Sequence, residues 1–232
     1  MAVAYKSNRG LEHRCAQPPR NIISRQKNIA DHFLVPIGRL RPTQAAVGMR
    51  TVAAKRQNVE RRREDSTKIE KFLTKRPIPA VKGPGRHLYI IDHHHLGLAL
   101  WQAEIQWAVI ELVDDLSHLR MRVFWERMVD AGTLHPFDEQ SRPIHPSRLP
   151  KRLGDLRHDP YRDLATSVRQ GGGFLKSTVP YSEFSWANHF RERIPMEMIE
   201  DDYGRAVRRA MALARKRDAA ALPGFLGRIA KD

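Results

Sequence analysis

Cysteine is nearly absent from this chain, which has 232 residues and a single thiol, Cys15. One cysteine cannot form a disulfide within the chain, so a small disulfide-stapled fold is excluded. The same observation fits a reducing compartment and predicts a cytoplasmic location. Long apolar runs are also missing, since no stretch reaches the roughly 18 residues of a membrane span. The first residues lack the apolar segment of a secretory signal, so no membrane partner is predicted.

Acidic residues are scarce near the start of the chain, where Glu12 is the only one before Asp31. The whole sequence has 41 lysines and arginines against 26 acidic residues, which gives a formal net charge of +15. A field of this sign attracts polyanions, so a nucleotide or a nucleic acid is the predicted partner. Residues 1–33 are basic and show no apolar periodicity, which predicts a disordered tail.

The remaining sequence begins as an alternation of short apolar runs and helical patterns. Strands are predicted at 33–37, 77–81, 87–92 and 107–113. Helices are predicted at 44–64, with Thr43 as its N-cap, and at 66–75 and 94–103. From Ser117, a candidate N-cap, the pattern is mostly helical, and further helices are predicted from Asp159-Pro160, at 181–193 and at 200–221.

The order strand, helix, helix, strand, turn, strand, helix, strand resembles the N-terminal domain of ParB proteins and sulfiredoxin. In that superfamily a short box follows a hairpin strand, opens a helix and grips phosphate. Here the box reads Asp92-His93-His94-His95-Leu96. The resemblance implies an α/β (α+β) fold: a small mixed-sheet core at 34–116, followed by a mostly helical region at 117–232.

Short motifs are spread over most of the chain: Leu40-Arg41-Pro42-Thr43-Gln44, Val47-Gly48-Met49-Arg50, Gly83-Pro84-Gly85, the box, Asp115-Leu116-Ser117, Phe124-Trp125, Asp159-Pro160-Tyr161-Arg162, Gly171-Gly172-Gly173, Glu183-Phe184-Ser185-Trp186-Ala187 and Leu222-Pro223-Gly224. Together they resemble the bacterial family called putative ParB-like nucleases. The family's name implies a nuclease that acts on phosphate-bearing ligands.

The box also has a physical interpretation of its own. A helix N-terminus leaves backbone N–H groups free and favours anions. Asp92, His94 and His95 are the predicted catalytic residues, because imidazoles move protons near neutral pH and a carboxylate can hold Mg²⁺ carried with ATP, ADP or CTP. Asp92 is the only metal ligand predicted. The predicted phosphate contacts are Arg41, Arg50, His93, His94 and His95.

The box departs from the superfamily at two positions. His93 stands where the superfamily has glycine, and Leu96 stands where ParB proteins and the related free-serine kinases have arginine, so one cation is missing. Sulfiredoxin's catalytic cysteine has no counterpart, which disfavours sulfinic-acid repair.

Three functions remain open at this point. The first is a nucleic-acid-directed nuclease, and the second is an ATP- or ADP-dependent small-molecule kinase with Glu183 as a guessed base. The third is a nucleotide-binding module without turnover. A structural alternative is that Asp92 caps the helix and the histidines only form hydrogen bonds at its start. The oligomeric state is left open.

Overall fold

The computed structural model describes residues 32–227 of the chain. Nearly all of the predicted tail, 1–33, lies outside the described residues. The fold is a mixed α/β arrangement, as the resemblance implied, with a curled five-stranded sheet, a two-stranded sheet and eight α-helices in the described range. Between residues 32 and 227 no helix is both long and apolar enough to cross a membrane.

The described residues form seven strands: β1 (His32–Pro36), β2 (Leu40–Pro42), β3 (Ala46–Val47), β4 (Ile78–Lys82), β5 (Leu88–Ile90), β6 (Trp107–Asp115) and β7 (Arg157–His158). Five of them form the main sheet, in the spatial order β1-β6-β4-β5-β2. The β1–β6 and β4–β5 pairs are antiparallel, whereas β4–β6 and β2–β5 are parallel. The two short strands β3 and β7 pair in parallel away from this sheet.

The helices fall into two groups, one packed on the sheet and one built around the C-terminal residues. The first group packs on apolar residues of β4, β5 and β6, and the second has its own core around Trp186 and Phe190. The helices are α1 (Met49–Arg63), α2 (Ser66–Thr74), α3 (His94–Gln102), α4 (Met121–Asp130), α5 (Pro160–Gln170), α6 (Ser182–Arg191), α7 (Met196–Asp201) and α8 (Tyr203–Leu213).

The predicted start of the first helix is wrong. Helix α1 begins at Met49 rather than Gln44, and Thr43 is not its N-cap. Instead the Thr43 hydroxyl donates to the carbonyl of Ile90 at 2.9 Å. Between Thr43 and the start of α1 the chain forms β3. Its partner strand β7 lies more than a hundred residues further along the chain, so no local pattern could indicate β3.

Two other helix boundaries also differ from prediction. Helix α4 begins at Met121, not at Ser117, because the Asp115 carboxylate accepts the N–H of Ser117 at 3.0 Å and forms a turn there. The helix predicted at 200–221 is interrupted at Asp202, whose carboxylate caps α8 by accepting the N–H of Arg205 at 2.8 Å. A turn stabilised by Asp115 thus precedes α4, whereas a capping side chain sets the start of α8.

The two predicted regions, 34–116 and 117–232, are joined by a strand pair and by a common apolar core. Strand β3 belongs to the first half and pairs with β7 of the second. Leu153 and Leu156, also from the second half, are buried in the same apolar core as Leu98 and Ile110. The predicted boundary near residue 116 stays a prediction, but any such boundary is crossed by a strand pair and by a common core.

Candidate functional site

The box lies where β5 ends and α3 begins. His93 has a left-handed backbone (φ 61°), serves as the N-cap of α3, and makes no capping hydrogen bond with its side chain. The Asp92 carboxylate accepts the N–H of His93 at 2.6 Å and is not the cap of the helix. Both side chains are exposed. The first turn of α3 therefore presents its free N–H groups without a capping side chain.

His94 points inward from the box and is 4% exposed. Its Nε2 accepts the backbone N–H of Thr43 at 3.1 Å, so in this arrangement Nε2 carries no proton. Burial lowers the pKa of His94 to about 3, against smaller opposing effects of Asp92 and the Ile90 carbonyl. The imidazole is therefore neutral at physiological pH.

His95 makes an equivalent bond one residue further along. Its Nε2 accepts the backbone N–H of Gly48 at 3.2 Å. Burial is again the main cause that holds the pKa of His95 well below its usual range, and the charge of Arg162 adds to it. His94 and His95 thus fasten the two ends of the segment from Thr43 to Gly48 onto α3.

The N-terminus of α1 is occupied by side chains from elsewhere in the chain. The Asp163 carboxylate accepts the N–H of Arg50 at 2.8 Å and both the N–H and the hydroxyl of Thr51, at 2.9 and 3.0 Å. His158 accepts the N–H of Met49 at 3.3 Å. A Cβ on Gly48 would collide with the Asp163 carboxylate, which explains the glycine. Helix α1 has no free N–H groups left for a phosphate.

The two arginines predicted to contact phosphate are engaged elsewhere. The guanidinium of Arg50 lies 3.9 Å from the ring centroid of Tyr203, on α8. The guanidinium of Arg41 lies 6.0 Å from the ring centroid of Tyr89. Tyr89 packs with Phe124 of α4, whereas α3 packs among the apolar residues on the opposite side of β5. The structure thus brings His93, His94 and His95 together with Asp92, and places Arg41 and Arg50 with aromatic rings.

A buried polar cluster lies behind the box and was not recognised from the sequence. It contains Arg162, His135 and Tyr181, which surround the ring of Phe184. His135 is buried, with 9% of its surface exposed. The signal that could have indicated the cluster is the motif Asp159-Pro160-Tyr161-Arg162, where an arginine follows immediately after a predicted helix start.

The charge of Arg162 reaches several residues of the site. Its guanidinium lowers the pKa values of His94, His95 and His135, in each case as a smaller cause than burial. Its Nη2 lies 3.3 Å from one carboxylate oxygen of Glu183, and Arg169 Nε lies 2.8 Å from the other. Burial lowers the pKa of Arg162, and the carboxylates of Glu183, Asp159 and Asp163 oppose this effect.

Comparisons with known proteins agree with this architecture. The family model described as Putative ParB-like nuclease matches residues 33–192. The chain belongs to this family. It is similar to the crystal structure of protein Atu1540 from Agrobacterium tumefaciens, with 37% sequence identity and a TM-score of 0.78. That match covers 86% of this chain and 99% of Atu1540. No curated protein matches the chain.

Metal ligands are sparse in this member of the ParB-like family. In the part of the chain that the structure describes, no group of three or more histidine, cysteine or acidic side chains is placed to hold a metal ion. Asp92 is exposed and has one oxygen not engaged with His93. Such a carboxylate fits a Mg²⁺ ion only if the ion takes its other ligands from phosphate oxygens and water.

A surface cavity lies away from the box of this ParB-like chain. It has a volume of about 630 Å³ and lies along the outer face of α4, where Met121, Trp125 and Val129 follow one another at helical spacing. His145 and Pro146 form its opposite wall. It shares no residue with the box or with the cluster around Phe184, so it plays no part in the site described above.

Proposed function

We propose that this ParB-like chain binds the phosphate of a nucleotide or a nucleic acid at the N-terminus of α3. The observation that carries the proposal is the contrast between two helix starts. Helix α1 has its N–H groups covered by Asp163, His158 and His95, whereas no side chain caps α3. A buried cation, Arg162, adds positive charge behind the uncapped start.

The physical basis is the attraction between an anion and a set of aligned peptide dipoles. Free N–H groups in the first turn donate directly to phosphate oxygens, and the helix dipole adds favourable energy there. His93 replaces the superfamily glycine; its backbone is left-handed and its side chain is exposed to solvent at the helix start. The net charge of +15 raises the local concentration of any polyanionic ligand.

The activity that fits this site and the family is hydrolysis of a phosphodiester. Water would add across the P–O bond, with Asp92 holding a Mg²⁺ ion that also contacts the phosphate. His94 and His95 stay the predicted acid and base. To accept a proton at Nε2, each must first release the backbone N–H that it now accepts, from Thr43 or from Gly48. Through these bonds both histidines hold the segment from Thr43 to Gly48 in place.

The kinase alternative receives no support from the geometry. Glu183 was the guessed base for a substrate hydroxyl, and its two carboxylate oxygens are ion-paired with Arg162 and Arg169. A carboxylate whose two oxygens are both ion-paired has no oxygen free to contact a substrate hydroxyl. A nucleotide-binding module without turnover has the same ligand site as the nuclease, and only an assay of hydrolysis separates the two.

The test compares two substitutions at one exposed position. His93→Asp places a carboxylate at the start of α3, where its negative charge repels phosphate. His93→Asn has nearly the same shape, the same ability to cap the N–H groups and equal tolerance of a left-handed backbone, but no charge. We expect His93→Asp to bind ATP, ADP or CTP with Mg²⁺ at least about tenfold more weakly than His93→Asn, a difference of about 1.4 kcal/mol.

The measurement is calorimetry of the parent and both variants with each nucleotide and with a short DNA duplex, at two salt concentrations. A parent that binds none of these ligands, or two variants with equal affinities, would overturn the proposal. Incubation of the duplex with Mg²⁺, followed by gel analysis, separates hydrolysis from binding alone.

A further inference from the structure

Helices α1 and α2, with the two residues that follow them, form a strongly basic surface. Residues 49–76 contain ten lysines and arginines against four acidic residues. Two of the four acids are already engaged, since Glu60 pairs with Arg56 at 2.7 Å and Asp65 pairs with Lys68 at 2.9 Å. The other eight cations of this segment form no ion pair with any residue between 32 and 227.

One aromatic ring holds two of these cations. The guanidinium carbon of Arg62, in the last turn of α1, lies 5.3 Å from the ring centroid of Phe72, and that of Arg76 lies 4.4 Å from it. Because both lie over one ring, the two charges are at most about 10 Å apart, roughly the Debye length at 0.1 M salt, and they repel each other. We call Arg62, Phe72 and Arg76 the α1–α2 corner.

The corner keeps hydrogen-bond donors available for an anion. Cation–π attraction uses the charge of a guanidinium and leaves its N–H donors for phosphate oxygens. Arg62 is half-buried and donates from Nη1 to the carbonyl of Asn58, whereas Arg76 is exposed. Phe72 is itself anchored, because it packs against the apolar core beneath the helices. The ring therefore positions two guanidinium groups at the surface.

The side chains around the corner favour a nucleic acid over a lipid surface. A helix that lies on a membrane inserts an apolar face into it. In the described part of the fold, no large apolar side chain that is exposed belongs to residues 49–76. Arginines that alternate with an aromatic ring are instead typical of surfaces that bind the backbone of a nucleic acid.

Helix α1 connects the corner with the box. The helix begins beside α3, where the N–H of Gly48 donates to His95 at 3.2 Å. Its 15 residues span about 22 Å. A duplex has a phosphate about every 3.4 Å along each strand, so roughly six phosphates of one strand match this length. A mononucleotide cannot contact both ends of α1, whereas a nucleic acid can.

We infer that the α1–α2 corner binds the sugar–phosphate backbone of a nucleic acid. Arg62 and Arg76 each contact a phosphate, and Phe72 holds both guanidinium groups in position. Such contacts carry no information about the bases, so this binding tolerates any sequence. The corner lies at the opposite end of α1 from the box and needs no ligand at the start of α3. The inference can therefore hold even if the proposed function fails.

The experiment uses the full chain and a labelled DNA duplex of about 15 base pairs, with fluorescence anisotropy between about 50 and 200 mM salt. Arg62→Gln and Arg76→Gln each remove one charge from the corner. Arg122→Gln is the matched control, because it removes the same charge from a side chain that is 88% exposed on α4. Phe72→Leu keeps every charge and an apolar side chain but removes the ring.

We expect Arg62→Gln and Arg76→Gln each to reduce the slope of log affinity against log salt by about 0.9, and to weaken duplex binding about tenfold at 0.1 M salt. Phe72→Leu should also weaken binding, although the net charge is unchanged. Arg122→Gln should bind as the parent does. Mononucleotide binding should be unaffected in all four variants. A role of the arginines at the helix dipole alone would lower the melting temperature and leave the salt slope unchanged.

An undiminished salt slope in both Arg62→Gln and Arg76→Gln would overturn the inference. An equal loss in Arg122→Gln would also overturn it, because net charge alone would then explain the binding. Vesicles that contain phosphatidylserine are the third ligand. If the two corner variants weaken vesicle binding but not duplex binding, the surface belongs to a membrane contact and the inference is wrong. A parent that binds the duplex but no mononucleotide contradicts the proposed function and leaves this inference standing.

Discussion

Asp163 accepts the backbone N–H of Arg50 at 2.8 Å, and this bond joins helix α5 to the start of helix α1. The same carboxylate also accepts the N–H and the hydroxyl of Thr51. Asp163 is 2% exposed, so water cannot replace these contacts if the carboxylate is lost. One side chain of the second half therefore caps a helix of the first half.

Replacement of Asp163 by alanine should lower the free energy of unfolding by about 2–4 kcal/mol, since a helix cap and several hydrogen bonds to a charged group are lost. Asp163→Asn keeps one acceptor oxygen and should lie between the alanine variant and the parent. Urea unfolding measures all three proteins. Asp155→Ala, at an exposed carboxylate, is the control and should stay within about 0.5 kcal/mol of the parent. An equally small effect for Asp163→Ala would contradict the assigned cap.

Stability should fall as the pH is lowered below about 6.5. His94 and His135 have pKa values of about 3 in the folded state, and the pKa of His95 is also lowered, whereas the unfolded chain has histidines near 6.5. Between these values the unfolded state binds more protons, and each histidine removes up to about 1.4 kcal/mol per pH unit. Above about pH 6.5 these three residues should have no further effect.

Urea unfolding between pH 7.5 and 4.5 measures this slope and stays above the range where most carboxylates titrate. His135→Phe should reduce the slope, because the phenyl ring suits the surrounding aromatic side chains and has no titratable group. A slope in His135→Phe that equals that of the parent would mean that His135 is accessible to protons in the folded state.

Loss of either box histidine, His94 or His95, should weaken ligand binding. His94→Ala and His95→Ala are expected to weaken binding of a mononucleotide by about 1–3 kcal/mol, either by loss of a direct contact or by release of the segment from Thr43 to Gly48. Calorimetry at 25 °C measures the affinity, and urea unfolding of the same variants measures the accompanying change in stability. Unchanged mononucleotide binding in both variants would restrict the two histidines to a structural role.

Salt dependence should distinguish two arginines near the C-terminal end of the fold. Arg217 is exposed, whereas Arg215 is half-buried and donates to the carbonyl of Gly172 at 2.7 Å. Arg217→Ala should reduce the slope of log affinity against log salt for a duplex by about 0.9, as for one phosphate contact, and should leave mononucleotide binding unchanged. Arg215→Ala should also lower the melting temperature. Equal duplex slopes for Arg217→Ala and the parent would exclude Arg217 from the contact.

The sequence predicts those elements whose signals are local. Strands β1, β4 and β6 and helix α3 lie within a few residues of their predicted ranges, since apolar runs and turn residues bound each of them. The start of α1 was not predictable, because β3 depends on a partner strand in the other half. The break at Asp202 was missed because an aspartate inside a helical pattern can cap a helix as well as continue it.

In the candidate site too, local features could be predicted from the sequence and long-range contacts could not. The box could be placed at a helix start from the change between an apolar strand and four polar residues, and the structure has α3 beginning at His94. The orientation of His94 and His95 toward Thr43 and Gly48 depends on how the preceding segment folds back. The motif that contains Arg162 indicates a helix start, but the burial of its guanidinium depends on the packing of α5 and α6 against the core.

Helix α1 receives its cap from residues that the ribosome adds more than a hundred positions later. While the first half is emerging, the N–H groups of Met49, Arg50 and Thr51 have only water as a partner, and β3 has no neighbour. Contacts of such long sequence separation slow folding, because a long loop must close before they form. Synthesis must therefore pass Asp163 before the nascent first half can complete its structure.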